Sequence, residues 1–467
     1  MSDQTNSDQS ARSIAMKVLL AIERRRLLAD EVLDRTCART NLDARDRALV
    51  LELVYGVLRH RTTLDWRLAC VATRPLDRLP TPVLMALRLG AYQLLHLSRI
   101  PASAAVNESV SLVKRAPDVH WTGFVNAVLR ALLREPVPAW PDPKDDPAQA
   151  HAIRYGCPRW LADRWMKRFG ADQAALLCRA TLEVPPLTLR VNTLKITREG
   201  LQDHLMNAGY AARPTTVSPV GLILEKRGPV TDLPLFYEGT FYVEDEAAQL
   251  VAPILDPQAG ERVLDACAAP GGKATHLAAL MHNKGEIIAL DRHPHRLRLL
   301  QENCRRLGIE IVRAVRADAS QALPSAERSH SSEPARLFDR VLVDAPCSGL
   351  GVLRRHPEGK WQKDEGMLAR QHTTQLGLLD RVCRALRPGG VLVYSTCSTE
   401  PEENEQVIEL FCGAHPEFTR ESVAPWLPPS GHGLVNAYGD LSTMFSTQSM
   451  DAFFAARLRK DASSHYA

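Results

Sequence analysis

The chain has ten cysteines (37, 70, 157, 178, 267, 304, 347, 383, 397 and 412) but no CxxC pair, and its histidines form no cluster at ligand spacing. Scattered thiols argue against a zinc site or a disulfide framework, and no metal is expected. No apolar run approaches the ~20 residues needed to span a bilayer, so no membrane partner is expected. The opening MSDQTNSDQSARS is polar and contains acids, unlike a signal or transit peptide, and the expected location is the cytoplasm. Charge of one sign is scarce overall, with a formal net charge of only +4.

What is present is a soluble globular composition, 45% hydrophobic and 24% charged, on 467 residues. That length exceeds one ordinary domain and predicts two or three. The charge is uneven: residues 1–135 hold 20 Lys/Arg against 14 Asp/Glu, or +6, and the remainder holds 38 against 40, or −2. A basic N-terminal third favours an anionic partner, RNA being a candidate.

Residues 12–135 read as helices throughout. Apolar positions recur at helical spacing in IAMKVLLAIE, ALVLELVYGVLRH and PVLMALRLGAYQLLHL, and Pro80 and Pro82 stand just before the last of these. PVPAWPDPKDDP (136–147), with five prolines in twelve residues, marks a linker. A smaller α/β segment follows, with a helix at RWLADRWMKRF, a strand at LTLRVNT and a helix at ITREGLQDHLMNAG. From about residue 240 strands and helices alternate, with strands at ERVLDACA, GEIIALD, IEIVRAV, FDRVLVDA and GVLVYSTC. Alternation of this kind predicts a mostly parallel sheet covered on both faces. PSAERSHSSEPAR (324–336) reads as a surface loop between two strands. The expected domains are an all-α segment 1–140, a small α/β segment 141–240 and an α/β, Rossmann-like segment 241–467.

DACAAPGGKATH (265–276) is a strand, a glycine turn and a helix start, without the GxxxxGKS or GxxxxGKT of a P-loop and without GxGxxG. Gly271 and Gly272 allow close backbone approach, and Asp291, twenty residues past Gly271, is suited to accept ribose hydroxyls. Asp265, Asp291 and Asp318 read as acids in register at successive strand ends. Such carboxylates repel a polyphosphate and suit a nucleoside with a cationic sulfonium, so S-adenosylmethionine is the expected cofactor.

DAPCSG (344–349) and STCS (395–398) place Cys347 and Cys397 just after strands. Cytosine C5 is a poor nucleophile until a thiolate adds to C6, and that scheme needs a cysteine and an acid to hold the N3/N4 edge, a role for which Asp344 is well placed. An exocyclic amine would call for an Asn/Asp-Pro-Pro-aromatic loop; Asp344-Ala345-Pro346-Cys347 has no aromatic. Either cysteine could attack.

RVNTLK (190–195), VEDEAAQL (243–250), DACAAPGGKATH, DAPCSGLGVLRRHPEGKW (344–361), RPGGVLVYSTCS (387–398), EENE (402–405) and DAFFAARL (451–458) together resemble the NOL1/NOP2/Sun family of RNA cytosine-5 methyltransferases. YGVLRH (55–60), VNESV (106–110) and FVNAVLR (124–130) look like a NusB-like RNA-binding domain. The resemblance implies a seven-stranded, mostly parallel class I methyltransferase sheet after an all-α NusB-like domain. It also implies Cys397 as the nucleophile, with Cys347 assisting product release. Implied cofactor contacts are Cys267, Ala268, Ala269, Pro270, Gly271, Gly272, Lys273, Asp291, Asp318 and Asp344, with Lys273 also serving the target base or RNA. Ribosomal RNA, 16S first, is the implied substrate of a monomeric enzyme that does not act on DNA. The alternatives are tRNA or 23S rRNA as substrate, or a non-catalytic RNA-binding assembly factor. Glu244 stands where the family often has Gln, and Ala452 where Gly is common, which puts the local turn in question. Segment 430–449 follows no family pattern.

Overall fold

The computed structural model describes residues 10–40, 42–114, 119–225, 230–321 and 337–463, so PSAERSHSSEPAR and most of the polar opening lie outside the described residues. Packing divides the chain into two compact units, Met1–Val184 with Leu353–Asp364, and Pro185–Val352 with Glu365–Ala467.

The first unit is helical. Periodicity over residues 12–135 predicts α1 (Ala11–Arg25), α2 (Ala29–Cys37), α3 (Ala44–Ala69), α4 (Thr81–His96), α5 (Ala102–Val113) and α6 (Thr122–Arg134), and the unit continues with α7 (Pro147–Arg154), α8 (Arg159–Phe169) and α9 (Ala171–Ala180) from the stretch expected to open a small α/β segment. Side-chain caps set three of the starts, one of them Asp146, which accepts from Gln149 N–H at 3.0 Å. Ser10 accepts from Ser13 N–H at 3.3 Å and Asp43 from Asp46 N–H at 2.7 Å. Pro82 lies inside the first turn of α4, where its missing N–H costs nothing. Helices α3 and α4 approach closely because Gly56 has no side chain: a Cβ there would lie 1.9 Å from Cζ of Tyr92. Arg88 then grips Asp65 with two bonds of 2.7 Å. The proline-rich stretch is seated rather than free, since Trp140 stacks on Trp66 with centroids 4.8 Å apart.

This unit also contains the excursion Leu353–Asp364. Lys360 is buried there and donates to the carbonyls of Arg59 and Gly156, each at 2.9 Å, while Trp361 donates to the Leu58 carbonyl at 2.7 Å. HPEGKW, which sequence order assigns to the segment 241–467, thus packs with the helices because its polar groups satisfy their free carbonyls.

The second unit begins with β1 (Leu187–Val191), β2 (Ala212–Pro214), β3 (Gly221–Leu224) and β4 (Phe241–Val243), a sheet in the order β2-β3-β1-β4. Helix α10 (Arg198–Asn207) shares its core through Leu201 and Leu205. The larger sheet contains β5 (Arg262–Asp265), β6 (Glu286–Asp291), β7 (Val312–Arg316), β8 (Phe338–Asp344), β9 (Leu386–Thr396), β10 (Phe418–Glu421), β11 (Leu441–Ser442) and β12 (Phe454–Lys460). Seven strands run in the order β10-β12-β9-β8-β5-β6-β7, and β11 pairs β12 off this line. The strands β7, β6, β5, β8 and β9 are mutually parallel, whereas β12 is antiparallel to β9 and to β10. Val263, Ile287 and Val393 pack into one core cluster, and their chain neighbours Leu264, Ile288 and Leu392 into another. Both faces of the sheet are therefore covered, as buried parallel strands require. From β5 the chain proceeds outward to β6 and β7 on one side and to β8 and β9 on the other. The β5–β8 boundary is the point where such folds open a crevice at the strand carboxyl ends.

Candidate active site

Asp265 ends β5 and Asp344 ends β8, on either side of that boundary. After Asp265 the chain turns through Gly271 (φ +107°), a conformation that favours glycine, into helix α11 (Gly272–Leu280). Gly272 is required by its neighbours, since a Cβ there would lie 2.8 Å from Oε1 of Glu244. Arg190 bonds Glu244 at 2.7 Å and Thr275 at 2.9 Å and reaches the Gly272 carbonyl. Glu244, the departure from the family's Gln, is thus a buried ion-pair partner that braces the glycine turn.

A cavity of about 190 Å³ lies here, lined by Tyr242, Glu244, Asp265, Cys267, Lys273 and Asp344 among others, with Ala268, Ala269, Pro270 and Gly272 forming the turn side. Asp265 is fully buried, its Oδ2 has no hydrogen-bond partner, and burial with the nearby Asp344 pushes its carboxyl up to about 7. Burial and the same acids push the Cys267 thiol up, so it lines the cavity as a neutral group.

The acids are not in register. Asp265 pairs with Ala289 on β6, and Asp291 pairs with Arg316 on β7. Each acid stands two residues beyond its neighbour's, and Asp318 lies past the end of β7. A two-residue step keeps the side chains on one face but staggers them diagonally. Asp291 accepts from His293 N–H at 2.7 Å and faces Arg296 at 3.3 Å. Asp318 accepts from the Ser320 N–H at 3.0 Å and hydroxyl at 2.6 Å, bonds that hold its carboxyl below the usual range. Neither Asp291 nor Asp318 lines the cavity.

Asp344 lies opposite Ser395 across the parallel β8–β9 pair, which brings the two cysteine loops together. The sulfurs of Cys347 and Cys397 are 3.4 Å apart. Asp344 accepts from Lys273 Nζ at 2.8 Å and from Ser395 Oγ at 2.8 Å. Lys273 sits over the Phe453 ring at 5.0 Å. Burial opposes its charge, but Asp344, Glu244 and Cys397 outweigh burial and hold its proton more tightly than usual. The Cys347 thiol is pushed up, first by its hydrogen bond to Cys397, then by burial and by Glu403.

Sequence reasoning missed how these loops are held. Glu403, fully buried, accepts from the Ser348 N–H at 2.6 Å and from the hydroxyls of Ser348 and Ser398. Asn404 accepts from Thr396 and donates to the Ser398 carbonyl at 3.0 Å. The available signal was the serine after each cysteine together with EENE. Gly351 N–H donates to the Cys397 carbonyl at 2.9 Å, and Ala452 N–H to the Gly351 carbonyl at 3.1 Å. Ala452 is not among the residues of positive φ, so this turn accepts alanine. Segment 430–449 contributes β11 and the buried Asp440, which pairs with Arg420. Among the described residues no group of three or more His, Cys, Asp or Glu could hold a metal ion, and no helix is long and apolar enough to cross a membrane.

The strand order, the antiparallel β12 beside β9 and the cavity at the β5–β8 boundary define an α/β methyltransferase unit, joined here to a helical domain. The chain belongs to the 16S rRNA methyltransferase RsmB/F family, whose model matches residues 252–459; the NusB family model matches 9–134 and the RsmF/B ferredoxin-like domain 157–231. It is 37% identical to the probable ribosomal RNA small subunit methyltransferase B of Bacillus subtilis (strain 168), covering 97% of this chain and 99% of that protein. It is also 37% identical to ribosomal RNA small subunit methyltransferase B of Pseudomonas syringae pv. tomato, over 79% of this chain and 80% of that protein. Among solved structures, PH0851 matches with a TM-score of 0.81 at 26% identity, covering 96% of this chain and 98% of that one. NSun6 from Pyrococcus horikoshii with SFG matches with a TM-score of 0.57 at 25% identity, over 66% of this chain and 99% of that one. The resemblance read from the motifs holds, and so does the pairing of a NusB-type helical domain with a mostly parallel methyltransferase sheet.

Proposed function

We propose that the chain transfers a methyl group from S-adenosylmethionine to C5 of a cytosine in 16S ribosomal RNA through a covalent bond from Cys397 to C6. The observation that carries this reading is the 3.4 Å sulfur pair beside the Lys273–Asp344 ion pair. The names of the B-type relatives support the substrate, and a related structure solved with SFG, an S-adenosylmethionine analogue, supports the cofactor.

The cavity residues fit that cofactor. Asp265 offers an unsatisfied buried oxygen, the Gly271–Gly272 turn lets the backbone approach closely, and carboxylates face the space a sulfonium needs. Asp265, Cys267 to Lys273 and Asp344 would hold it, with Asp291 and Asp318 flanking. When bound, it supplies the methyl group.

The chain's own residues do the rest. Lys273 and Cys397 interact electrostatically, and an ammonium there favours a thiolate on Cys397. The thiolate adds to C6 and forms a C–S bond, and the C5–C6 pair becomes the nucleophilic pair on C5. Each Asp344 oxygen keeps a second lone pair for the cytosine amine edge. After methylation a base takes the C5 proton, the electrons return to the ring and the C–S bond breaks. Cys347, a thiol whose sulfur lies 3.4 Å from that of Cys397, donates to the departing thiolate and so assists release. The target base must leave its stack to meet the thiol, which favours single-stranded or loop RNA.

Bisulfite sequencing of total RNA from a strain lacking this gene tests the substrate. The expected loss is one methylcytosine in 16S rRNA; loss confined to tRNA or 23S rRNA contradicts the assignment.

A further inference from the structure

Glu403 lies in the turn after β9, outside the cavity and outside the cysteine motifs. Its carboxylate collects the Ser348 N–H at 2.6 Å, both the Ser348 and Ser398 hydroxyls, and the Gln375 amide at 3.4 Å. Tyr394 OH fixes the Glu403 backbone carbonyl at 2.6 Å. Every one of these donors is neutral, so the buried anion is hydrogen-bonded but not cancelled. Ser348 follows Cys347 and Ser398 follows Cys397, so one carboxylate holds both loops by corresponding residues. The two hydroxyls also lie 3.2 Å from each other.

We propose that Glu403 is a positioning residue that clamps the two cysteine loops and confines negative charge to Cys397. This rests on the reaction proposed above. The groups facing Cys347 are Cys397 from the STCS loop, Glu403 from the turn beyond it, and Tyr394 from β9. A carboxylate next to Cys347 disfavours a second anion there, whereas Cys397 interacts electrostatically with the Lys273 ammonium. Two otherwise similar thiols thereby take different roles: one carries the charge and the other donates a hydrogen bond to it.

The test is alkylation of the full-length chain by iodoacetamide without RNA, from pH 6 to 10, with each cysteine quantified by peptide mass spectrometry. In the unmodified protein Cys397 reacts ahead of Cys347. Glu403→Gln keeps the shape and one acceptor but removes the charge. It should raise the Cys347 rate at a given pH about tenfold, equivalent to one unit in its midpoint. An unchanged Cys347 profile in a folded Glu403→Gln protein overturns the proposal and leaves Glu403 a structural bracket. If that variant does not melt cooperatively, Ser398→Ala decides instead. It leaves the anion with one donor fewer, so Cys347 should need a higher pH; no shift overturns the proposal. The alkylation result does not depend on substrate. If Cys397→Ala still methylated RNA, the proposed reaction would fall while the charge assignment stood.

Discussion

Lys273 and Asp344 form an ion pair of 2.8 Å between the first turn of α11 and the end of β8, bridging the strand-switch crevice. Ser395, from the strand that leads to Cys397, bonds the other Asp344 oxygen at 2.8 Å. The acid and the cation are therefore held in one short hydrogen-bonded chain with Ser395, two residues before Cys397.

Removing either member of the pair should cost catalysis more than folding. Asp344→Asn and Lys273→Met are each expected to lower kcat by about 100-fold to 1,000-fold, the usual loss when a preorganised polar contact to the reacting group is deleted. Single-turnover methyl transfer checks this; a loss under about tenfold for both contradicts it.

Asp265 gives the ligand-free protein a defined pH dependence. Its folded pKa of about 7 lies above the ordinary 3.8, so the folded state binds the extra proton between those values. Stability from this group is present below pH ~4 and is lost as pH rises towards 7. Asp265→Asn removes the effect, so its melting temperature should gain on the parent's between pH 5 and 8, by an amount equivalent to a few kcal/mol at most. A difference that is flat with pH, or of opposite sign, contradicts the assignment.

Gly351 tests the Cys397 loop without touching a reacting group. A Cβ there would lie 2.2 Å from the Ala452 carbonyl oxygen and 2.8 Å from that of Cys397, both backbone atoms that cannot rotate away. Gly351→Ala should displace the Cys397 backbone and lower methyl transfer at least about tenfold, while overpacking costs about 1–3 kcal/mol of stability. A thermal melt beside a methyl-transfer assay separates the two effects.

Four of the parallel strands, β5, β6, β8 and β9, were legible because each contains a short apolar run, and β5, β6 and β8 end in an acid, whereas β7 carries two arginines and no buried residue. β12 was not. Its Arg457 is buried against Glu421 at 2.8 Å and its Lys460 donates to the carbonyls of Cys383 and Leu386, so a core strand reads as a charged one. The same inversion hid Lys360 and Glu403, whose charges suggest solvent but which are buried among backbone carbonyls and hydroxyls. Cys347, Cys397 and Asp344 stood out by position and Lys273 only through the family resemblance, yet spacing could not reveal that the acids are staggered, because register belongs to strand pairing and not to the chain.

The most direct test of the account is denaturing electrophoresis of Cys347→Ala and Cys397→Ala proteins incubated with S-adenosylmethionine and 16S rRNA. Cys347→Ala should accumulate a covalent protein–RNA band containing the methylated cytosine, and Cys397→Ala should give neither band nor methylation. Full turnover by Cys397→Ala, or a band that persists without Cys397, would contradict it.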